Sequence, residues 1–161
     1  MPSQMELGVS GIVQNLLKGT GETQQKSNVL VHLQPDKKAI IAMIEQLQMV
    51  LFPDYFVKKK ISRYAAEYYI GSILDEIYIS LVDQVTMVLL QREDFKDAGE
   101  AQRRAEATSV VEQFIATLPN IQSYLYMDVD AAFDGDPAAF NKDEIIFSYP
   151  GLYAIMVNRL A

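Results

Sequence analysis

The densest group of side chains that could do chemistry is a run of aspartates in the last quarter of the sequence. Four carboxylates fall within nine residues, at Asp128, Asp130, Asp134 and Asp136. Carboxylates placed so close together disfavour one another's charged form, so they need cations, hydrogen-bond donors or water around them. Residues 127–139 are therefore the first candidate for a functional site.

A calcium-binding loop is the obvious hypothesis for this cluster, and the spacing rejects it. Such a loop needs oxygen ligands at its first, third and fifth positions, glycine at the sixth and glutamate at the twelfth. Counting from Asp128 places Ala132 fifth, Phe133 sixth and Ala139 twelfth. The sequence also has no cysteine and no pair of histidines, so no metal site is predicted.

Asp136 has a structural interpretation that needs no ligand. An aspartate directly before a proline suits the N-cap of a helix, with Pro137 in the first helical position. The residues alone therefore predict that Asp136 caps a helix. Asp128 and Asp130 would then lie on the solvated face of a preceding helix.

Conventional catalytic groups are scarce. His32 is the only histidine, and its apolar surroundings offer no acidic side chain to orient it as a base. A cysteine nucleophile is excluded, and no glycine-rich loop has the spacing that cradles phosphate. No catalytic residue is predicted within this chain.

Composition narrows the class of protein. Half of the residues are hydrophobic and 22% are charged, which predicts a sizeable buried core. The net charge of −7 disfavours binding to nucleic acid. The apolar runs are well short of the ~20 residues that a membrane span needs, and the first residues do not look like a signal peptide. We expect a cytoplasmic protein that binds neither nucleic acid nor membrane.

The spacing of apolar residues predicts an all-α chain, a bundle of about five to seven helices. Helices are predicted over approximately 35–51, 57–92, 100–118, 119–133, 142–148 and 151–161. Gly71 is expected to bend or break the second helix, and Pro119 to start a new one. The predicted organisation is a mobile leader (1–27), a helical bundle (28–118) and a substrate-side helical segment (119–161).

Four short motifs, in the right order and spacing, resemble the serine acetyltransferase family. They are Asp-Val-Asp-Ala-Ala with Asp-Pro-Ala-Ala (128–139), Glu-Ile-Ile (144–146), Tyr-Pro-Gly-Leu-Tyr-Ala-Ile (149–155) and Arg-Leu-Ala (159–161). The specific resemblance covers about residues 118–161. Upstream, Asp54-Tyr55-Phe56 suits the branch of the family that has a longer leader.

The resemblance implies an enzyme of two parts. In that family a helical N-terminal domain precedes a left-handed β-helix of hexapeptide repeats, which trimerises and binds acetyl-CoA between its subunits. A histidine of an Asp-His pair on the β-helix removes the hydroxyl proton of L-serine, and the alkoxide attacks the thioester. This chain itself is expected to bind no cofactor, because acetyl-CoA is a co-substrate of the full enzyme.

The family's residue roles transfer to four positions. Asp136 matches the aspartate that holds the amino group of serine, and it is expected to face the end of the molecule toward which the last helix points. Asp128 matches an acidic position with a structural or supporting role. Arg159 is expected to orient neighbouring groups, and Tyr153 is assigned no part in catalysis.

The sequence reaches Ala161 before any hexapeptide repeat. The resemblance therefore implies a helical domain that is inactive alone, whether produced separately, by proteolysis or from a shortened gene. The alternative is a helical oligomerisation module with no catalysis of its own. In either case we expect homo-oligomers and an exposed apolar face on the last helix, formed by Leu152, Ile155, Met156 and Leu160.

Overall fold

The structure, a computed structural model, describes residues 34–57 and 62–161, without the side chains of residues 63 and 64. The described residues form six α-helices and one short 3₁₀ helix, with no strand among them. The elements are α1 (Lys37–Leu51), α2 (Pro53–Phe56), α3 (Arg63–Leu89), the 3₁₀ helix (Glu93–Phe95), α4 (Glu100–Gly135), α5 (Lys142–Ser148) and α6 (Pro150–Leu160). The predicted all-α class is confirmed.

The start of α1 is fixed by two polar contacts. α1 begins at Lys37 rather than at Pro35, because the carboxylate of Asp36 caps it by accepting the N–H of Lys38 at 2.8 Å. Such a cap satisfies a donor that the first helical turn leaves unpaired. The N–H of Asp36 donates in turn to Oε1 of Gln84 on α3, at 2.7 Å. Gln84 is buried, so this bond also satisfies its polar side chain.

The second predicted helix is shorter than expected at both ends. α3 runs from Arg63 to Leu89, whereas the apolar pattern predicted 57–92. Its start is set by Ser62, whose hydroxyl accepts the N–H of Ala65 at 3.3 Å. A local capping side chain, rather than the apolar pattern, therefore decides where this helix begins.

Two predicted helix breaks are absent. α3 continues through Gly71, and α4 is a single helix of 36 residues with Pro119 in its interior. A glycine in a helix interior costs about 1 kcal/mol and a proline about 3 kcal/mol. Leu118, next to the proline, is buried in one cluster with Ile77 of α3. Packing of the two long helices against each other outweighs these local costs.

The last two helices follow their predictions closely. α5 has the predicted bounds, and the side chain of Asn141 caps it by accepting the N–H of Glu144 at 2.8 Å. α6 begins with Pro150 in its first position, where the missing N–H is not needed. Both helices pack against the C-terminal half of α4.

The core divides into three apolar clusters, and α4 contributes buried residues to each of them. The cluster nearest the acidic segment contains Leu51, Phe52, Leu125, Val129, Ile145, Ile146, Leu152 and Met156. Residues from five helices and the α1–α2 junction meet in or against this cluster, so it positions the end of α4 relative to α5 and α6.

The face predicted to be exposed on the last helix is mostly buried. Leu152 and Met156 are only 5% and 1% exposed, and Leu160 packs against the same core. The prediction was wrong for these residues, because α6 folds back onto α4 and covers them. Only Ile155, at 40% exposure, is open as expected.

Residues Pro35–Ala161 form one compact unit. The boundary predicted between residues 118 and 119 falls inside α4, while the boundary at residue 27 and His32 lie outside the described residues. The three-part division stays a prediction. Among the described helices, none combines the length and hydrophobicity that crossing a membrane requires.

Candidate functional site

Asp136 follows the last residue of α4 and closes that helix instead of starting another. Its backbone is extended, with φ −117° and ψ 100°, and no helix begins at Pro137. The predicted N-cap role is therefore wrong, since the next helix is capped by Asn141. Between the two lies a turn, in which the carbonyl of Asp136 accepts the N–H of Ala139 at 3.0 Å.

The carboxylate of Asp136 has one hydrogen-bond donor on each oxygen. Oδ1 accepts the N–H of Ala138 at 2.9 Å, and Oδ2 accepts the phenol of Tyr149 at 2.7 Å. The first bond closes a local turn and is of the type that an N-cap also makes, which explains the mistaken prediction. The second bond joins the end of α4 to the start of α6.

Tyr149 is itself held from both sides. Its N–H donates to the carbonyl of Ile145 in α5 at 3.2 Å, and its carbonyl accepts the N–H of Leu152 in α6 at 3.1 Å. The following Pro150 favours the extended backbone that Tyr149 adopts, with φ −85° and ψ 109°. The phenol therefore reaches Asp136 from a junction whose backbone is tied to two helices.

Hydrogen bonding stabilises the charged form of Asp136 and the neutral form of Tyr149. The pKa of Asp136 is lowered, first by the Tyr149 hydrogen bond and then by the N–H of Ala138, while partial burial acts in the opposite direction. The bond to Asp136 is the main cause that raises the pKa of Tyr149 to about 12, with burial and the negative charges of Asp136 and Glu144 adding to it. At neutral pH the pair is a carboxylate beside a protonated phenol.

The Asp136 carboxylate retains capacity for a ligand. It is half-buried, and an ionised carboxyl group offers about four lone-pair positions, of which these two bonds use two. The side chain is not sealed inside the bundle. The prediction that Asp136 faces the end toward which the last helix points is wrong, because the side chain lies beside the first turn of α6. α6 has 11 residues, so its two ends are about 16 Å apart.

Asp128 and Arg159 are brought together and bind each other. The guanidinium donates from Nε to Oδ2 at 2.5 Å and from Nη2 to Oδ1 at 2.7 Å. It also lies over the ring of Tyr124, with Cζ 5.4 Å from the centroid. Asp128 and Asp136 are eight residues apart along α4, about 12 Å of helix. The structure therefore does not join them into a single site.

The remaining aspartates of the cluster do not create a metal site. Asp130 forms an ion pair with Lys142 of α5 at 2.9 Å, and Asp134 is exposed. Within the described part of the chain, no three acidic, histidine or cysteine side chains converge closely enough to hold a metal ion. The aspartates are close in sequence, but their side chains point in different directions around the helix.

The sequence did not point to Tyr149 as a partner of Asp136. Thirteen residues and the whole of α5 separate the two, and no local pattern predicts a contact over that distance. Tyr149-Pro150 was informative as part of a motif of the resembled family and as a helix boundary, but neither use indicates a bond to Asp136. Tyr153, to which no catalytic role was assigned, lies on α6 and is 42% exposed.

Comparison with known proteins supplies independent information on the family. The chain is 35% identical over 130 residues, or 79% of its length, to a curated protein of Synechococcus elongatus named "Serine acetyltransferase, plasmid". The resemblance to serine acetyltransferases is confirmed. A match of this length extends well beyond residues 118–161, so the similarity to a serine acetyltransferase includes the part of the chain that carries no specific motif. The chain spans 41% of the length of that serine acetyltransferase. No protein-family model matches the chain.

Proposed function

We propose that this chain is the helical N-terminal domain of a serine O-acetyltransferase, an enzyme of cysteine biosynthesis that transfers the acetyl group of acetyl-CoA to L-serine. The similarity to a serine acetyltransferase supports this proposal. The coverage of 41% of that relative is also in keeping with one domain of a larger enzyme. In this proposal, the β-helix that binds acetyl-CoA and carries the catalytic base is a separate domain.

The observation that carries the proposal is the state of Asp136. It is an ionised, half-buried carboxylate whose position is fixed by two donors and which has lone pairs to spare. An alkylammonium group prefers such a carboxylate at about 2.7–2.9 Å. Asp136 is therefore proposed to bind the amino group of L-serine, and Asp128 and Arg159 to support it structurally by tying α4 to α6.

The proposed chemistry divides the work between the two domains. A base on the β-helix removes the proton from the serine hydroxyl, and the alkoxide oxygen forms a bond to the thioester carbonyl carbon. The carbon–sulfur bond then breaks, the thiolate takes up a proton to give CoA, and O-acetylserine is the product. Asp136 takes no part in proton transfer, because its role is to hold the amino group so that the hydroxyl is correctly placed.

Binding of L-serine to the 161-residue chain tests the role of Asp136. We expect a Kd of about 1 mM or weaker, the affinity that a few polar contacts supply. The binding is measured by NMR, as a shift of the N–H signal of Ala138. Asp136→Asn should abolish the binding, and the exposed control Asp134→Asn should leave it unchanged. 3-Hydroxypropionate, which lacks the amino group, should not bind. The proposal is contradicted if Asp136→Asn binds L-serine as tightly as the wild type does, or if the wild type binds 3-hydroxypropionate as tightly as L-serine.

The chain alone is proposed to be catalytically inactive. The described helices supply a substrate contact but no histidine or cysteine that could act as base or nucleophile. An assay of CoA release from acetyl-CoA and L-serine should therefore stay at background. Turnover above background, proportional to the amount of this chain, would show that the base lies within it.

A helical oligomerisation module remains the second candidate function, and exposed apolar side chains favour it. Tyr68, Met127, Phe140 and Phe147 are 82%, 64%, 86% and 59% exposed, respectively. Apolar side chains of this size mark an interface where they are gathered into one exposed patch. Light scattering at increasing concentration tests this second candidate, because a chain that stays monomeric contradicts self-assembly through its helices. We also propose that the protein is cytoplasmic and binds neither nucleic acid nor membranes.

A further inference from the structure

Asp136 lies where a free carboxylate could adopt many orientations. It is outside the regular hydrogen bonding of α4, and the turn after it contains exposed residues at 137, 138 and 140. Rotation about two side-chain bonds would move both oxygens. The Ala138 N–H restrains one oxygen, but that donor belongs to the same turn and moves with it.

Tyr149 is the donor that comes from elsewhere in the fold. Its hydrogen bonds to Ile145 and Leu152 tie it to α5 and α6, which contribute four buried residues to one core cluster. A phenol has only two side-chain rotations and presents its hydroxyl at the end of a rigid ring. The bond to Oδ2 at 2.7 Å therefore fixes the carboxylate relative to the core and not merely relative to its own turn.

We propose that Tyr149 is a positioning residue that orients the Asp136 carboxylate toward the ammonium group of a bound amino acid. The inference rests on the proposed role of Asp136 in binding L-serine. Tyr149 itself does not contact the ligand. It occupies one lone pair of Oδ2 and the Ala138 N–H one of Oδ1, so about two lone-pair positions stay available to an ammonium group.

The same chain contains a matched control. Tyr55 donates to Oδ1 of Asp143, also at 2.7 Å, and this second pair likewise joins residues from different helices. Tyr55→Phe therefore removes a tyrosine–aspartate bond of equal length that has no assigned part in ligand binding. Tyr149→Phe keeps the ring of Tyr149 and removes only its hydroxyl.

The test measures L-serine binding and the carboxyl ¹³C shift of Asp136 across a range of pH in the wild-type chain and both variants. The charges that act on the Tyr149 phenol are those of Asp136 and Glu144. Tyr149→Phe should weaken L-serine binding by about threefold or more, because binding must then also supply the free energy that orders the carboxylate. It should also move the acid limb of the binding profile to higher pH. Tyr55→Phe should change neither quantity.

Three other outcomes have distinct meanings. If Tyr149→Phe binds L-serine with the wild-type affinity and pH profile while Asp136→Asn does not bind, Tyr149 has no positioning role and the proposed function stands. If Tyr55→Phe weakens binding equally, the effect is a general loss of stability and the inference fails. If the wild-type chain binds no L-serine, the proposed role of Asp136 fails and the inference fails with it, whatever happens to the carboxyl shift.

Discussion

Arg159 and Asp128 lie 31 residues apart in the sequence and are joined by two hydrogen bonds, one from Nε and one from Nη2 of the guanidinium. Their side chains are 34% and 20% exposed, less than those of the other ion pairs described in this chain. The pair closes the contact between the last turn of α6 and the start of the acidic segment of α4. It holds α6 in place from the end opposite to Tyr149.

Arg159→Lys should lower the thermal midpoint of the chain slightly although the charge is kept. A lysine is a single point donor and cannot reproduce the two parallel bonds that the planar guanidinium makes. The control is Arg104→Lys, because Arg104 makes a single described bond of 3.0 Å to Asp83 and both side chains are more exposed. Thermal unfolding of both variants, with and without about 1 M salt, measures the difference.

The two-bond geometry predicts a clear ranking. Arg159→Lys should be less stable than Arg104→Lys at low salt, and high salt should remove only the part of the loss that comes from charge. If the two variants unfold together at every salt concentration, the bidentate geometry contributes nothing to stability.

The helical architecture could be predicted because its signals are local. Ile40, Ile44, Leu47 and Leu51 recur at helical spacing, and Asn141 and Pro150 are residue types that mark helix starts. The bounds of α5 follow from such signals alone. Core burial and local chemistry agree at these positions, and this agreement makes a pattern reliable.

Two of the errors occur where a distant contact overrides a local signal. Pro119 reads as a helix start, yet the helix continues because Leu118 is anchored in the core. Asp136-Pro137 reads as an N-cap, yet the second oxygen of that carboxylate is taken by Tyr149. Local propensity cannot report a bond that depends on the path of α5 and α6. Asp136 could therefore be chosen from the sequence, but its partner could not.

Leu125→Ala should destabilise the chain strongly. Leu125 is fully buried in the cluster that also contains Val129, Ile145 and Met156. Removing a buried leucine side chain leaves a cavity and costs about 2–5 kcal/mol. Met127→Ala is the control in the same turn of α4, since Met127 is 64% exposed and should change stability by no more than about 0.5 kcal/mol. Urea unfolding of both variants measures this, and equal stabilities would contradict the assigned burial.

Pro119→Ala should stabilise the chain by about 1 kcal/mol. Proline has no N–H to donate to the carbonyl of Ile115, four residues earlier, and alanine restores that donor. The gain is smaller than the about 3 kcal/mol cost of proline in an ideal helix, because alanine also gives the unfolded chain more freedom. Asn120→Ala, at the exposed neighbouring position, controls for the better helix propensity of alanine. Urea unfolding that shows no advantage over Asn120→Ala would contradict the prediction.

The phenols of Tyr149 and Tyr55 should titrate later than an ordinary tyrosine. Hydrogen bonds to Asp136 and Asp143, respectively, are the main causes that raise both pKa values to about 12, from an ordinary value of about 10. Each phenol prefers its protonated form in the folded chain. Its contribution to stability is therefore fully present below about pH 10 and is lost as the pH rises toward 12. These two residues should contribute to the late part of the phenolate absorbance titration, together with Tyr126, whose pKa is raised by burial and by the charge of Asp54.

Tyr149→Phe tests the sign of this linkage. The variant should be less stable than the wild type at about pH 8. This difference in stability should shrink as the pH rises from about 10 to 12, because ionisation of Tyr149 removes the stabilising hydrogen bond from the wild type. The late absorbance step should also lose amplitude. Tyr153→Phe, on the exposed side of α6, should leave the stability at about pH 8 within about 0.5 kcal/mol of the wild type. A stability difference that grows with pH over this range would mean that the Tyr149 phenol does not donate to Asp136 in solution.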